Sequence, residues 1–256
     1  ADTEHRYGVR VDTGVVDGGE IPMYYDSMIA KLIVHGKDRQ DAIARMREAL
    51  NGFVIKGVQS NIPFQAALLA HPSFVAGDFN TGFIAEHYAH GFSAADVPHA
   101  DPDFLLALAA RLHMYYRNRA QGLQGQFWEG FKSLPSREFT VCALGKEGQH
   151  QYVDVSLGEV QRDEPTRVVV RGAAGERVYE LKLDRYLGQS RITGECNGQR
   201  FTAQMERGHT RNPLVTRVIH NGTQLDAIVM HPRTAELHRL MPYKAPPDMS
   251  KFVLSP

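Results

Sequence analysis

The sequence predicts an α+β fold, in which a mixed region of helices and strands precedes one long helix wrapped by an antiparallel β-barrel of about eight strands. Three observations support this prediction. Strand-like and helix-like patterns alternate over residues 8–92, and an apolar pattern with helical spacing covers residues 101–120. After residue 137, apolar and polar residues alternate in a series of short runs. A chain of 256 residues is long enough for one large domain or two ordinary ones.

The mixed region opens with two strand-like runs. The run "VRVDTGV" alternates apolar and polar residues, and "MIAKLIVHG" is a second apolar run that ends at Gly36. Asp17, Gly18 and Gly19 lie between them and are typical of a turn. We therefore expect the two runs to form a hairpin-like pair.

Two helices and a short strand are predicted next. Asp38 is the candidate N-cap of the first helix, whose apolar stripe consists of Ile43, Met46, Leu50 and Phe53. Asn51 and Gly52 mark its last turn. The run "FVIKGV" predicts a short strand, and "NIPFQAALLAHPSF" predicts a second helix that Asn61 caps.

A longer helix is predicted from residue 101 to about residue 120. Asp101 is its candidate cap, and Pro102 occupies the first helical position, where a missing N–H group is tolerated. Twenty residues at 1.5 Å each give a length of about 30 Å. Large apolar and aromatic residues recur along it at helical spacing: Phe104, Leu105, Leu108, Leu112, Tyr115 and Tyr116.

The rest of the chain has the period-two pattern of strands. Asn197-Gly198 and Asn221-Gly222 are two-residue hairpin signals. Closing such strands into a barrel removes exposed edges, and the barrel interior can bury the apolar stripe of the preceding helix. The candidate strands are "REFTVCAL", "QYVDVSL", "RVVVRG", "RVYELKLD", "SRITGEC", "RFTAQME", "VTRVIH" and "LDAIVM".

Composition excludes several classes of function. The 29 basic and 29 acidic residues give a formal net charge of zero, which disfavours a nucleic-acid-binding protein. The sequence has no run of about 18 apolar residues, so it predicts no membrane-spanning helix. The first ten residues lack the apolar core of a signal peptide. Cys142 and Cys196 belong to no metal or redox motif and are interpreted as buried thiols.

Motifs by themselves do not reveal an activity. The sequence contains no phosphate-binding GxxxxGK[ST] loop, no GxGxxG, no HExxH and no GxSxG, and its histidines match no zinc spacing. Arg10 in "GVRVDTG" is the one residue that carries a chemical hypothesis. Its fixed positive charge and planar set of donors suit a carboxylate or an oxyanion, although a strand cation facing solvent would have the same sequence context.

The segment "GVRVDTGVVDGGEIPMYYDSMIAKLIVHGKDRQDAIARMREALNGFVIKGVQSNIPF" closely resembles the C-terminal lobe of a biotin carboxylase domain, over residues 8 to about 85. The family pattern includes the arginine turn, the "YYDSMIAK" strand and the helix that follows it. The later runs "LLALAARLHMYYRNRAQ" and "AELHRLMPYKAPPDMSKFVLSP" resemble the alpha subunits of propionyl-CoA carboxylases. Domain boundaries follow: a carboxylase portion at 1–92, a subunit-interaction domain at 93–240 and a linker towards a biotin carrier domain at 241–256.

The resemblance implies a function for Arg10. It matches the family's active-site arginine, which is thought to stabilise the enolate of biotin's ureido group, whereas Tyr24, Tyr25 and Asp26 are implied to be scaffold. The cofactors implied are biotin, ATP and magnesium. The location implied is the cytoplasm in a bacterium or the mitochondrial matrix in a eukaryote. The family's nucleotide, metal and bicarbonate residues precede this lobe, and its biotinyl-lysine motif A-M-K-M follows the linker. None of these motifs is in the 256 residues, so we expect the chain to be the middle part of a longer subunit and inactive alone.

The resemblance also implies partners: a carboxyltransferase beta subunit and the biotin carrier domain. The aromatic and apolar residues of the long helix exceed one stripe, which predicts a docking surface. The alternative is that both stripes are internal. An alpha subunit of another acyl-CoA carboxylase, such as the methylcrotonyl-CoA type, and a non-catalytic scaffold are the rival functions. The predicted contact residues are Phe104, Leu108, Leu112, Tyr115, Tyr116, Phe127, Trp128 and Phe131.

Overall fold

The computed structural model describes residues 8–21, 24, 28–93, 96–97, 99–121, 136–160, 164–184, 188–208 and 212–242. The chain forms two regions in sequence order, a small mixed lobe and a helix-containing barrel. In the described residues, no helix is both long and apolar enough to cross a membrane. Cys142 and Cys196 are free thiols, and burial raises the pKa of both.

The lobe is built on a two-stranded antiparallel sheet. Val11 pairs with Leu32, and Arg10 pairs with Ile33, as the hairpin-like pattern predicts. Its core is a small cluster of Ile43, Leu50 and Leu69. The elements are β1 (Val9–Thr13), β2 (Ala30–Val34), α1 (Arg39–Gly52), α2 (Ile62–Ala70), α3 (Pro72–Ala76) and α4 (Phe83–His87).

Of three local predictions about the lobe, one is confirmed, one is confirmed in part and one is wrong. Asp38 caps α1 as predicted, because its carboxylate accepts a hydrogen bond from the Asp41 amide at 2.8 Å. Asn61 stands at the cap position of α2 but makes no side-chain capping bond. The predicted strand at "FVIKGV" is wrong: residues 53–60 have no regular structure. A strand needs a partner, and the Phe53 carbonyl instead accepts a hydrogen bond from Gln204.

The second region is a closed antiparallel barrel of eight strands, as the sequence predicts. Each strand pairs with its sequence neighbours, and the last strand pairs with the first to close the ring. Asn197-Gly198 and Asn221-Gly222 have the positive φ angles that tight two-residue hairpins require. The strands are β3 (Glu138–Ala143), β4 (Gln151–Leu157), β5 (Thr166–Gly172), β6 (Gly175–Leu183), β7 (Arg191–Cys196), β8 (Gln199–Arg207), β9 (Thr216–His220) and β10 (Thr223–Met230).

The long helix α5 (Pro102–Gln121) lies inside this barrel, and a short helix α6 (Pro232–Arg239) follows the last strand. Every residue from Phe104 to Leu112 is buried. Even Arg111 is buried there, and its Nε donates a hydrogen bond to the Thr166 hydroxyl at 3.1 Å. A helix enclosed by strands on all sides can bury apolar residues on all its faces, so an excess over one stripe does not require an external partner.

This burial corrects part of the predicted docking surface. Phe104 is 6% exposed, and Leu108 and Leu112 are fully buried in the barrel core. They pack against inward-facing strand residues such as Val141 and Leu181. These three residues therefore stabilise the barrel and present no surface to another chain.

Candidate functional site

Arg10 lies on the solvent face of the β1–β2 sheet. Side chains alternate along a strand, so Arg10 and Asp12 share one face while Val9 and Val11 share the other. Leu32, which pairs with Val11, packs against the lobe core, and this fixes which face is turned inward. The Arg10 side chain is 53% exposed.

Asp12 orients the Arg10 guanidinium. The Nε of Arg10 lies 3.0 Å from one Asp12 carboxylate oxygen, and one terminal nitrogen donates a hydrogen bond of 3.2 Å to the other. Lys31 stands opposite Asp12 in the strand pairing, so two cations flank one carboxylate on this face. The exposed donors and the excess positive charge suit an anionic group bound against the sheet.

The other sequence-predicted residues are distributed between several places. Tyr24 is 88% exposed, and Tyr25 and Asp26 lie outside the described residues. Tyr115 and Tyr116 are half-buried near the C-terminal end of α5, with ring centroids 5.8 Å apart. Phe127, Trp128 and Phe131 also lie outside the described residues. Arg10 and the two α5 tyrosines thus belong to different regions of the molecule.

Asn51 joins those regions, and sequence reasoning missed this function. It is 6% exposed at the end of α1, and its amide nitrogen donates to the Asn221 side-chain oxygen at 2.9 Å. In return, the Asn221 backbone N–H donates to the Asn51 side-chain oxygen at 2.7 Å. Gln204 of β8 donates to the Asn51 backbone carbonyl at 3.1 Å. A polar residue among the apolar positions of α1 was the available signal.

The β9–β10 hairpin, whose Asn221 binds Asn51, also approaches α2 closely. Gly222 has a φ of +78°, and a Cβ atom placed there would lie 2.5 Å from the Cβ of Ala66. The next residue, Thr223, donates a hydrogen bond to the carbonyl of the buried Val97 at 2.8 Å. Glycine is therefore required at this position by both backbone conformation and space.

A pair of histidines lies beside the same hairpin. His99 Nε2 and His220 Nδ1 are 2.7 Å apart, and the Asp101 backbone N–H donates to His99 Nδ1 at 3.0 Å. His99 must therefore carry its proton on Nε2 and donate it to His220. Burial is the main cause that lowers the pKa of both rings, to about 3 for His220, with His99 and Arg47 adding to the effect on His220.

The Asp101 carboxylate, just before the start of α5, accepts hydrogen bonds from two residues of the barrel strand β6. The Tyr179 hydroxyl donates to Asp101 at 2.8 Å, and Arg177 donates to the same carboxylate at 2.8 Å. Burial, followed by the contact with Asp101, raises the pKa of Tyr179, so its hydroxyl stays protonated at neutral pH. These hydrogen bonds attach the N-terminal end of α5 to the barrel. The network contains no exposed nucleophile.

The described residues contain no cluster of side chains typical of a metal site. Across the part of the chain that the structure covers, no three His, Cys, Asp or Glu side chains come together as metal ligands. The sequence also lacks a phosphate-binding loop.

Comparison with known proteins identifies both regions. Residues 1–86 match the family model of the biotin carboxylase C-terminal domain, and residues 105–244 match that of the propionyl-coenzyme A carboxylase BT domain. The Ruegeria pomeroyi "Propionyl-CoA carboxylase alpha chain" is 34% identical over 97% of this chain and 34% of its own length. The mitochondrial alpha chain of Caenorhabditis briggsae is 31% identical over 98% of this chain and 34% of its own length.

A third relative matches a shorter part of the chain. "Biotin carboxylase 1" of Bacillus subtilis is 54% identical over 33% of this chain, which corresponds to 19% of that protein. The chain spans about a third of the length of the alpha chains that it matches. Because the BT-domain match alone covers more than half of the 256 residues, the chain belongs to the propionyl-CoA carboxylase alpha-chain family of biotin-dependent carboxylases.

Proposed function

We propose that this chain is part of the alpha chain of a propionyl-CoA carboxylase. The complete subunit would carboxylate carrier-bound biotin with ATP and bicarbonate, and a beta subunit would pass the carboxyl group to propionyl-CoA. The observation that supports this most directly is the succession, in one chain, of a biotin carboxylase lobe and a BT-type barrel.

In this proposal, Arg10 supplies a fixed positive charge to the ureido oxygen of biotin. Biotin, when bound, would supply the nucleophilic nitrogen, and its ureido oxygen is the atom on which negative charge would develop. A guanidinium already held by Asp12 needs little reorganisation when this charge develops, so it stabilises the transition state more than the ground state. Asp12 is then a positioning residue.

The barrel is proposed to hold the alpha and beta subunits together. Tyr115 and Tyr116 are only half-buried and remain candidate contact residues. Phe127, Trp128 and Phe131, which lie outside the described residues, are retained as candidates from the sequence. We expect Trp128→Ala and Phe131→Ala, made singly, to weaken capture of the beta subunit while circular dichroism shows an unchanged fold. Wild-type capture by both variants would move the docking surface elsewhere on the barrel.

The activity is tested in the full-length subunit assembled with its beta chain. Losing one preorganised oxyanion partner typically costs about 10²–10³ in rate, so Arg10→Ala should reduce carboxylation of free biotin by that factor. Arg45→Ala is the matched control, because Arg45 is also a partly exposed arginine of the lobe, 2.9 Å from an aspartate. Gel filtration should show intact assembly for both variants.

Two results would favour the rival functions. Faster turnover with methylcrotonyl-CoA than with propionyl-CoA would assign the chain to another acyl-CoA carboxylase. Wild-type turnover in Arg10→Ala would leave Arg10 without a catalytic function and would favour a scaffold.

A further inference from the structure

A groove at the C-terminal end of α5 is positively charged, although the chain as a whole has no net charge. Arg117 and Arg119 line it from the helix, and Arg207 lines it from the end of β8. Phe139, Met230 and other apolar residues form much of its floor. We call this surface the arginine groove. Among the described residues, no carboxylate lines it.

Aromatic rings hold two of the arginines in place. The Arg207 guanidinium carbon lies 4.2 Å from the centroid of the Tyr116 ring, and that of Arg117 lies 5.8 Å from the centroid of Phe139. The N–H groups of a guanidinium lie in its own plane, so they can still donate hydrogen bonds outward when the guanidinium stacks on a ring. The two cations are thus partly preorganised for a carboxylate.

The neighbouring acidic groups are engaged elsewhere. A carboxylate oxygen of Glu138, the residue before Phe139, lies 3.7 Å from a terminal nitrogen of Arg171. A carboxylate oxygen of Glu206, the residue before Arg207, lies 3.8 Å from Lys56 Nζ. His113 also lines the groove, and burial, followed by the charges of Arg117 and Arg207, lowers its pKa to about 4. His113 is therefore neutral at pH 7 and adds no charge to that of the guanidinium groups.

The groove suits an acidic protein segment better than a compact inorganic anion. It lies at the C-terminal end of α5, where the helix dipole favours the arginines themselves, so a bound anion would be held by side chains and not by the N-terminal amides that many phosphate sites use. Its apolar floor would lie against the aliphatic parts of a peptide, while the arginines at its sides would bind the carboxylates.

We propose that the arginine groove binds a carboxylate-rich segment of the carboxyltransferase beta subunit. This inference rests on the proposed function, because it names the chemistry by which the barrel recognises that partner. The groove is continuous with Tyr116, one of the candidate contact residues, so one surface would combine an aromatic contact with charge recognition.

Binding of the purified beta subunit to the immobilised chain tests the proposal, with affinities measured at 50, 150 and 300 mM NaCl (roughly the range over which screening changes most). The double variant Arg117→Gln/Arg207→Gln should bind at least about tenfold more weakly at low salt, and its affinity should depend less on salt. The control variant is Arg167→Gln/Arg200→Gln, which removes two exposed arginines that do not line the groove. A hexaglutamate peptide should compete with the beta subunit for the wild-type chain.

The outcomes separate the two proposals. If the wild-type chain does not bind the beta subunit, the proposed docking function fails, and this inference fails with it. If the wild-type chain binds and the groove variant retains both its affinity and its salt dependence, only the arginine groove is excluded. Circular dichroism guards against misfolding, and the salt dependence of the wild-type chain provides a test that needs no substitution. Competition by inorganic phosphate as strong as by hexaglutamate would contradict the assignment to an acidic peptide.

Discussion

The barrel and the lobe bury their apolar residues in different ways. The barrel closes on itself, and its core combines the enclosed helix with inward-facing residues from all eight strands. The lobe has a core cluster of three buried residues and a sheet of two strands, and it leaves Val16, Met28 and Val58 more than half exposed. Two strands with one small core are marginal on their own. The barrel is therefore stabilised by its own residues, whereas the lobe depends on contacts across the junction.

The junction makes this dependence specific. Asn51 and Asn221 exchange hydrogen bonds, Gln204 binds the end of α1, and Gly222 allows α2 to approach. These contacts join residues about 150 or more positions apart in the chain. We expect the barrel to keep its structure when the lobe is disturbed, but we do not expect the converse.

The largest effect should come from the barrel core. Leu108→Ala removes a fully buried side chain from a closed shell that cannot collapse around the cavity, so we expect a loss of about 2–5 kcal/mol of unfolding free energy. Ile43→Ala in the lobe should cost less, because its small cluster can rearrange. Leu237→Ala, at a site 62% exposed, is the control and should change little. Denaturant unfolding measures all three, and equal losses for Leu108 and Ile43 would break the comparison.

The second largest effect should be a loss of stability at the junction when the pH is lowered. Burial lowers the pKa of His220 from its ordinary value of 6.5 to about 3. The unfolded chain therefore binds the proton more readily than the folded chain within that range, and stability falls as the pH drops through it. The loss is on the order of 1 kcal/mol per pH unit at most. His113, with a pKa of about 4, contributes in the same direction between 6.5 and 4.

Thermal unfolding at pH 7.5 and pH 5 measures this effect. His220→Gln should make the melting temperature less dependent on pH than in the wild-type chain, and a change at the exposed His90 should not. Limited proteolysis at pH 5 should cut the lobe before the barrel. A pH dependence that is unchanged in His220→Gln would remove the histidine pair from the explanation.

A smaller effect should separate the two Asn-Gly hairpins. Gly198 and Gly222 have φ angles of +79° and +78°, so alanine at either site pays the same backbone cost of about 1–2 kcal/mol. A Cβ at Gly198 meets nothing within 4 Å, whereas at Gly222 it meets Ala66. Gly222→Ala should therefore destabilise the chain more than Gly198→Ala and should expose the lobe to proteolysis. Equal destabilisation would mean that the junction does not stabilise the lobe.

No effect at all is expected from ATP. Neither region contains a phosphate-binding loop in its sequence, and the described residues contain no metal cluster. Calorimetry of the 256-residue chain with ATP and magnesium should show only heat of dilution. Micromolar binding would contradict the assignment of the lobe to a part of the carboxylase that does not hold nucleotide.

The sequence by itself determined most elements of this protein, although the strand predicted at "FVIKGV" does not form. Hairpin signals at Asn197-Gly198 and Asn221-Gly222, the period-two runs and the Asp38 cap act over a few residues, so the eight strands, the enclosed helix and α1 follow from local pattern. The arginine motif around Arg10 was recognisable for the same reason. Its catalytic function stays a prediction.

Only the tertiary structure decided which surfaces are buried. Helical spacing showed that α5 has more than one apolar face, but only closure of the barrel shows that Phe104, Leu108 and Leu112 are all inside. The function of Asn51 depends on a hairpin 170 residues away, and the arginine groove joins the end of α5 to the end of β8. Burial and charge clustering are properties of elements brought together in space, and a pattern of neighbouring residues cannot contain them.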